Sequence, residues 1–245
     1  MRIGIYGLGR FGSFWAGTFA KHGYDTIAYS RHSHELPEGV ALASEDEVLN
    51  ADLLFFAVAI SSFEEVLKRV GKGIGKNTIA MDTCSVKTYP AKWMSSYIPD
   101  DVYKIATHPM FGPDSGKNGV SGLPVVMCPV SPKDERYSLV SNIFLGMGLN
   151  VLEMSEREHD QQAAYSQGVT HFVGRVLDKM GMRPTPIATQ GYRSLMTIVD
   201  QTCNDPEQLF YDLQRYNPYA KEMRLSLQVA IEKVLNRLQE EEDRT

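Results

Sequence analysis

Two clusters of chemistry-bearing residues stand out in the chain. The first is Thr107-His108-Pro109-Met110-Phe111-Gly112-Pro113, an imidazole followed at once by proline and then by a glycine and a second proline. Proline fixes φ, removes a donor and pushes its predecessor to an extended conformation. The spacing therefore predicts that His108 sits on a shaped loop directly after a strand over 102–106. An imidazole with an ordinary pKa near ~6.5 can take or give a proton at neutral pH. A structural turn bearing an exposed, inert histidine fits the same letters. The second cluster is Gly7-Leu8-Gly9-Arg10-Phe11-Gly12. Gly7 permits a tight turn, Gly9 lets the backbone approach a pyrophosphate, and Gly12 allows close helix packing. Arg10 and Phe11 within the motif, and Ser61 on a loop over 59–62, join the three glycines as expected cofactor contacts.

These clusters need elements to hold them. The glycine loop follows a short strand over 2–6 and precedes Phe14, Trp15, Thr18 and Phe19, which recur at helical spacing, so a helix N-terminus would face the phosphates. A second strand over 24–29 ends in Ser30-Arg31, where an NAD enzyme would carry an acidic residue for the ribose 2′-hydroxyl. A guanidinium there suits a 2′-phosphate, so the cofactor is expected to be NADP, held in part by Ser30 and Arg31. Arg31 as a solvated loop charge is the alternative. An apolar run over 53–58 reads as a strand buried on both faces, followed by a helix over 64–70 and a strand over 78–81. That strand ends in Asp82-Thr83-Cys84-Ser85-Val86-Lys87, at the same sheet edge as His108. Further strands are expected over 124–130 and 151–154, with a helix over 134–145 between them.

Strands alternating with helices predict an α/β protein with a Rossmann-type, doubly wound, mainly parallel sheet. From Ser155 onward the pattern is helical. Glu156, Glu158 and Asp160 favour a helix start, and apolar residues recur at helical intervals through Met180. Helices follow over 187–202, 206–216 and 219–240, with a frayed tail over 240–245. The expected division is a dinucleotide-binding domain over 1–155 and an all-helical dimerisation and substrate domain over 156–245. So few helical residues form a thin core, so a homodimer through the C-terminal helices is expected.

Composition narrows the partners. Among 245 residues, 43% are hydrophobic and 22% charged, with a net charge of -5. This balance argues against nucleic acid or an anionic membrane as the main partner, and the small-molecule substrate expected of the chain follows from the resemblance given below. Cys84, Cys128 and Cys203 are scattered, with no C-x-x-C spacing, so neither a disulfide framework nor a metal site is expected, and a reducing cytoplasm fits best. The N-terminus enters a strand without a signal-like apolar segment, and no run is long enough to span a bilayer.

With Ser85-Val86-Lys87 after one strand, His108-Pro109-Met110-Phe111-Gly112-Pro113 after the next, and His159-Asp160, Ser166-Gln167 and Thr170-His171 on one helix, the chain resembles the arogenate/prephenate dehydrogenases of tyrosine biosynthesis. The similarity is greatest to the plant-type arogenate enzymes. The resemblance implies oxidative decarboxylation of a ring that bears a hydroxyl and a carboxylate. His108 would then accept the hydroxyl proton, and Ser85 would hydrogen-bond the same hydroxyl unless it caps the next helix. Lys87 would anchor local backbone or cofactor. Asp205, in Gln201-Thr202-Cys203-Asn204-Asp205, falls where arogenate-type enzymes carry an aspartate that would read the substrate ammonium; an N-cap ahead of Pro206 is the alternative.

Two departures qualify the match. Bacterial relatives show Ser-His-x-x-His where this chain has Ser166, Gln167 and Thr170, with His171 displaced by one position, about 100° around a helix. Thr197 stands in the register of the arginine that binds the ring carboxylate, leaving Arg193 as the nearest substitute. Gln167, Thr170, His171, Arg193 and Asp205 are thus the candidate substrate contacts. Prephenate dehydrogenase, a dual-specificity cyclohexadienyl dehydrogenase, another reductase of this layout such as an imine reductase, and a non-catalytic NADP-sensing protein are the competing readings. The chain by itself is expected to lack a tyrosine-sensing module.

Overall fold

The computed structural model describes residues 1–244, and these fall into two compact units, Met1–His159 and Asp160 onward. The division lies within a helix, four residues beyond the expected boundary at 155/156, and Thr245 is outside the described residues.

The first unit runs β1 (Arg2–Tyr6), α1 (Arg10–Lys21), β2 (Asp25–Tyr29), β3 (Val40–Leu42), α2 (Glu45–Leu49), β4 (Leu53–Phe56), α3 (Ile60–Val70), β5 (Ile79–Asp82), α4 (Thr88–Tyr97), β6 (Tyr103–Pro109), β7 (Pro124–Pro129), α5 (Glu135–Gly146) and β8 (Asn150–Glu153). Among the described residues the sheet has eight strands in the order β3-β2-β1-β4-β5-β6-β7-β8. All neighbours are parallel except β6 and β7. The order reverses between β1 and β4, and in a doubly wound sheet that crevice is where a dinucleotide binds. Every residue of β4 and of β5 is buried, as strands covered by helices on both faces must be. Trp15 and Phe19 of α1 are fully buried and pack against Phe55, with Trp15 and Phe19 ring centroids 4.7 Å apart. This aromatic cluster holds α1, and hence the glycine loop, on the sheet.

Several expectations are corrected. β3 has three residues, two of them exposed, too short and too wet to leave a hydrophobic pattern. The helix expected over 64–70 starts at Ile60, so Ser61 lies in its first turn rather than on a loop over 59–62. His108 is not on a loop; it is the penultimate residue of β6. Pro109 is tolerated there for a geometric reason. Met110 N donates to Pro124 O, so the even-numbered residues at this end of β6 face β7, while Thr107 N points the other way, to Asp82 Oδ1. Pro109 shares Thr107's side, where pairing with β5 has already ended at Met81 and Ile105. Its missing donor therefore breaks no rung.

α6 (Glu156–Ala163) closes the first unit and leads into the second. A turn of π-helix over Ala164–Gly168 follows, then α7 (Val169–Lys179), α8 (Gln190–Asn204), α9 (Glu207–Tyr216) and α10 (Ala220–Glu242). The long helix expected through Met180 is thus interrupted. A π turn takes up one residue more than an α turn, so His171 returns to about the angular position that residue 170 would hold on an unbroken helix. The tail expected to fray from 240 continues as helix through Glu242. α7 and α8 meet at Gly174, where an added Cβ would lie 2.1 Å from Thr202 Oγ1. Along α10, Leu225, Val229, Ile231, Val234, Leu235 and Leu238 are all exposed. No helix among the described residues is long and apolar enough to cross a membrane.

Candidate active site

The ends of β5 and β6 are fastened by one buried ion pair. Lys87 Nζ binds Asp82 Oδ2, with neither side chain accessible to solvent, and donates to Thr107 O at 2.6 Å. Asp82 Oδ1 accepts from Thr107 N at 3.0 Å, Asp82 Oδ2 accepts from Cys84 N at 3.0 Å, and Thr107 Oγ1 donates to Asp82 O. Lys87 is therefore an anchor of local backbone. Because the network pins both Thr107 and Cys84, it fixes the positions of the next residues on each strand end, His108 and Ser85.

Ser85 is 4% exposed, and among the described residues its buried Oγ has no hydrogen-bond partner. It does not cap the next helix: the capping position of α4 is Lys87, and no side-chain cap bond forms there. A buried hydroxyl left unpaired is destabilising unless a ligand completes it. His108 is also buried, and its Nδ1 lies 2.8 Å from Nε2 of His159 on α6. Burial, then the neighbouring His159 and the Lys87 ammonium, hold the His108 pKa well below its ordinary value. The imidazole is thus neutral at pH 7, with Nε2 as the ring nitrogen left to meet a ligand. His159 was not among the residues expected to build the site. In the sequence it entered only as part of the His159-Asp160 pair that helps carry the resemblance, with no role assigned to it.

The glycine loop lies at the same sheet edge. Gly7 has φ 111°, and a Cβ there would stand 2.6 Å from Ala57 O; one on Gly12 would stand 1.9 Å from Gly7 O. Gly9 differs: nothing lies within 4 Å of an added Cβ, although the residue caps α1. Its backbone opens onto free space at a helix N-terminus, which fits a phosphate cradle. Arg10 pairs with Asp114 at 2.6 Å. The Phe11 ring packs on Phe14 and Trp15, so this side chain serves the core, and what it offers a phosphate is its amide. Ser30 Oγ accepts from His32 N at 3.3 Å, and Arg31 is exposed just past β2.

In the second unit His171 is buried, its Nε2 4.0 Å from Asp205 Oδ2 and its Nδ1 without a partner among the described residues. Burial, then the Arg175 guanidinium, lower the His171 pKa to about 4. The carboxylate, beyond hydrogen-bond range, does not offset them. Arg175 Nη2 donates to Asp205 O at 2.9 Å. Asp205 is the C-cap of α8, at the junction where α9 follows from Glu207. Gln167 Oε1 is buried and also lacks a partner among the described residues. Thr170 is exposed and donates to Ser166 O at 2.9 Å. Arg193, exposed on α8, lines a cavity of about 780 Å³ with Arg183, Tyr192 and Asp200, and Gln167, Thr170, His171 and Asp205 are not among its walls.

A family model described as the nucleotide-binding domain of prephenate dehydrogenase matches residues 21–153, and one described as a TYRAAT1-like C-terminal domain matches residues 176–245. Arogenate dehydrogenase 2, chloroplastic, of Arabidopsis thaliana is 36% identical over 97% of this chain and 70% of its own length. Arogenate dehydrogenase 1, chloroplastic, of the same plant is 37% identical over 97% of this chain, which spans 39% of that protein. Among solved structures, prephenate dehydrogenase from A. aeolicus, in complex with hydroxyphenyl propionate and NAD+, superposes with a TM-score of 0.71 at 19% identity. That alignment covers 98% of this chain and 89% of that one, a likeness of fold.

The Asp82–Lys87 pair can be tested alone. Lys87→Met leaves a carboxylate buried without its counterion, and urea unfolding should show a loss of about 3–5 kcal/mol. Adding Asp82→Leu should recover part of it, the remainder being the orphaned amides of Cys84 and Thr107; a cost of Lys87→Met below about 1 kcal/mol would show that the pair does not hold the strand ends.

Proposed function

The chain belongs to the arogenate and prephenate dehydrogenases, and on that premise we propose that it catalyses the NADP-dependent oxidative decarboxylation of arogenate to tyrosine. The observation that carries this reading is a neutral imidazole, His108, buried at the strand end next to one that presents the unpaired hydroxyl of Ser85. Oxidising a hydroxyl requires removal of its proton, and a neutral imidazole takes it where an imidazolium cannot. In this reading His108 Nε2 accepts the proton, and Ser85 Oγ donates a hydrogen bond to the same oxygen and orients it. The carbon that bears the hydroxyl gives up a hydride, the bond to the ring carboxylate breaks with its electron pair entering the ring, and carbon dioxide departs. NADP, when bound, supplies the hydride acceptor.

The residues that would hold the cofactor are those of the β1–α1 turn. Gly7, Gly9 and Gly12 shape the turn, the amides of Arg10 and Phe11 at the start of α1 would bind the pyrophosphate, and Ser61, in the first turn of α3, would be a further contact. Ser30 and Arg31 follow β2, and the absence of a carboxylate there supports a 2′-phosphate. For the substrate side chain, Asp205 would pair with the ammonium that arogenate carries where prephenate has a keto group, flanked by His171 and Gln167. Thr170, whose hydroxyl bonds the helix backbone, is left a lesser part. Arg193 would serve the ring carboxylate only if the cavity on α8 receives it. The exposed apolar row on α10 supports a homodimer, a second copy covering what the chain leaves wet.

Supplying arogenate and prephenate separately, each with NADP or NAD, and following reduced-cofactor absorbance should give the highest kcat/KM for arogenate with NADP. His108→Asn should lower kcat by about 10²- to 10⁴-fold; no signal in any of the four combinations would overturn the enzyme reading. Arg31→Ala should raise the KM for NADP about tenfold or more and leave that for NAD nearly unchanged, whereas equal effects would remove Arg31 from the 2′-phosphate. Light scattering should return twice the 27.4 kDa chain mass, and a monomer at micromolar concentration would refute the dimer.

A further inference from the structure

His108 and His159 form a pair whose chemistry is more specific than that of either ring alone. His108 Nδ1 and His159 Nε2 are 2.8 Å apart, the rings 69° from coplanar, and the two residues 3% and 2% exposed. With water this restricted, two facing lone pairs would repel, and two facing N–H groups would collide. One proton must lie between the nitrogens. If His159 Nε2 holds it, neutral His108 carries its own proton on Nε2 and cannot accept another. If His108 Nδ1 holds it, His108 Nε2 presents a lone pair.

His159 is held in place for this contact. Ser155 and Glu158 form a reciprocal cap, with Ser155 N donating to Glu158 Oε2 at 2.9 Å and Glu158 N donating to Ser155 Oγ at 3.2 Å. His159 N in turn donates to Ser155 O at 2.9 Å. The Ser-x-x-Glu box fixes the start of α6 and with it the ring that meets His108. On the other side, Lys87 donates to the carbonyl of Thr107, immediately before His108.

We infer that His159 is a positioning residue whose Nε2 accepts a hydrogen bond from Nδ1–H of His108, so that the His108 Nε2 lone pair faces the substrate hydroxyl. The inference rests on the dehydrogenase reading. When the substrate O–H bond breaks, its proton joins His108 Nε2. The Nδ1–H···Nε2 bond to His159 then becomes charge-assisted and spreads the acquired charge toward a second ring. Hydride and carbon dioxide leave as before, so His159 adds no reactant to the balance.

The tautomer can be read without substrate. In histidine-labelled protein, nitrogen chemical shifts, with the His108 signals assigned by their loss in His108→Asn, should show His108 protonated at Nδ1 and bare at Nε2. His159→Leu should shift His108 toward the Nε2–H form and lower kcat about tenfold or more while KM for arogenate and NADP stays within about twofold. His159→Gln, whose amide oxygen can accept the same hydrogen bond, should keep the Nδ1–H form and restore most of kcat. A wild-type His108 protonated at Nε2 overturns the proposal, and so does a His159→Leu enzyme with undiminished kcat. An equal loss in the leucine and glutamine variants, tracking their melting temperatures, overturns it in favour of a packing role. If the wild type oxidises neither arogenate nor prephenate, the function reading fails while the shifts still decide the hydrogen bond.

Discussion

A lysine and an aspartate shut away from water hold this site in shape. Burying Asp82 and Lys87 removes the hydration of both, and the Coulomb attraction repays that cost only when the remaining lone pairs and protons are satisfied. Here they are: Asp82 accepts from Lys87 Nζ, Thr107 N and Cys84 N, and Lys87 also donates to Thr107 O. The pair joins two adjacent strands beyond the last rung of their ladder at Met81 and Ile105. A sheet loses order where its ladder ends, and that is where these two side chains replace the missing bonds. His108 and Ser85 inherit fixed positions as a result. The Lys87 charge has a second effect: it adds, after burial and the neighbouring His159, to what disfavours an imidazolium at His108.

Most of the scaffold was legible in the sequence because its signals are local. Gly7, Gly9 and Gly12 each answer a steric demand within one turn, and the structure separates their roles: two positions with no room for a side chain and one that opens onto free space. The buried runs of β4 and β5 and the helical spacing of Trp15 and Phe19 are likewise local patterns. What escaped depends on partners far along the chain. Lys87 reaches Thr107 across 20 positions and His159 reaches His108 across 51, and no spacing rule joins such pairs. β3 was missed because an edge strand of three residues need not alternate, and the π turn because one additional residue in a helix leaves the apolar pattern nearly unchanged.

The misreading of Pro109 has a physical lesson. Proline was expected to expel His108 from the strand, on the ground that a missing donor cannot be accommodated in a central ladder. The relevant variable is the side on which the donor would have pointed. In an antiparallel pair successive residues alternate between neighbours, and Pro109 falls on the side where the adjacent strand has already stopped. His108 can therefore be strand-held and followed by proline at once. A strand fixes the ring more tightly than a loop, while proline stiffens the chain as it leaves the sheet, and the base role proposed for His108 would benefit from both.

The same arithmetic of register governs the second unit. By letter count His171 is one position away from the place where relatives carry a histidine, and on a regular helix that displacement turns the side chain off the site. The π turn over Ala164–Gly168 absorbs one residue immediately upstream, so the ring comes back to the original face. Burial agrees: His171 is enclosed and stands near Asp205, whereas Thr170, which matches by letter, is exposed with its hydroxyl bonded to the preceding turn. The cost of a π turn is poorer hydrogen-bond geometry, and such turns persist mostly where function retains them. In this helix angle and burial, rather than letter count, decide which side chain is enclosed, and that side chain is His171.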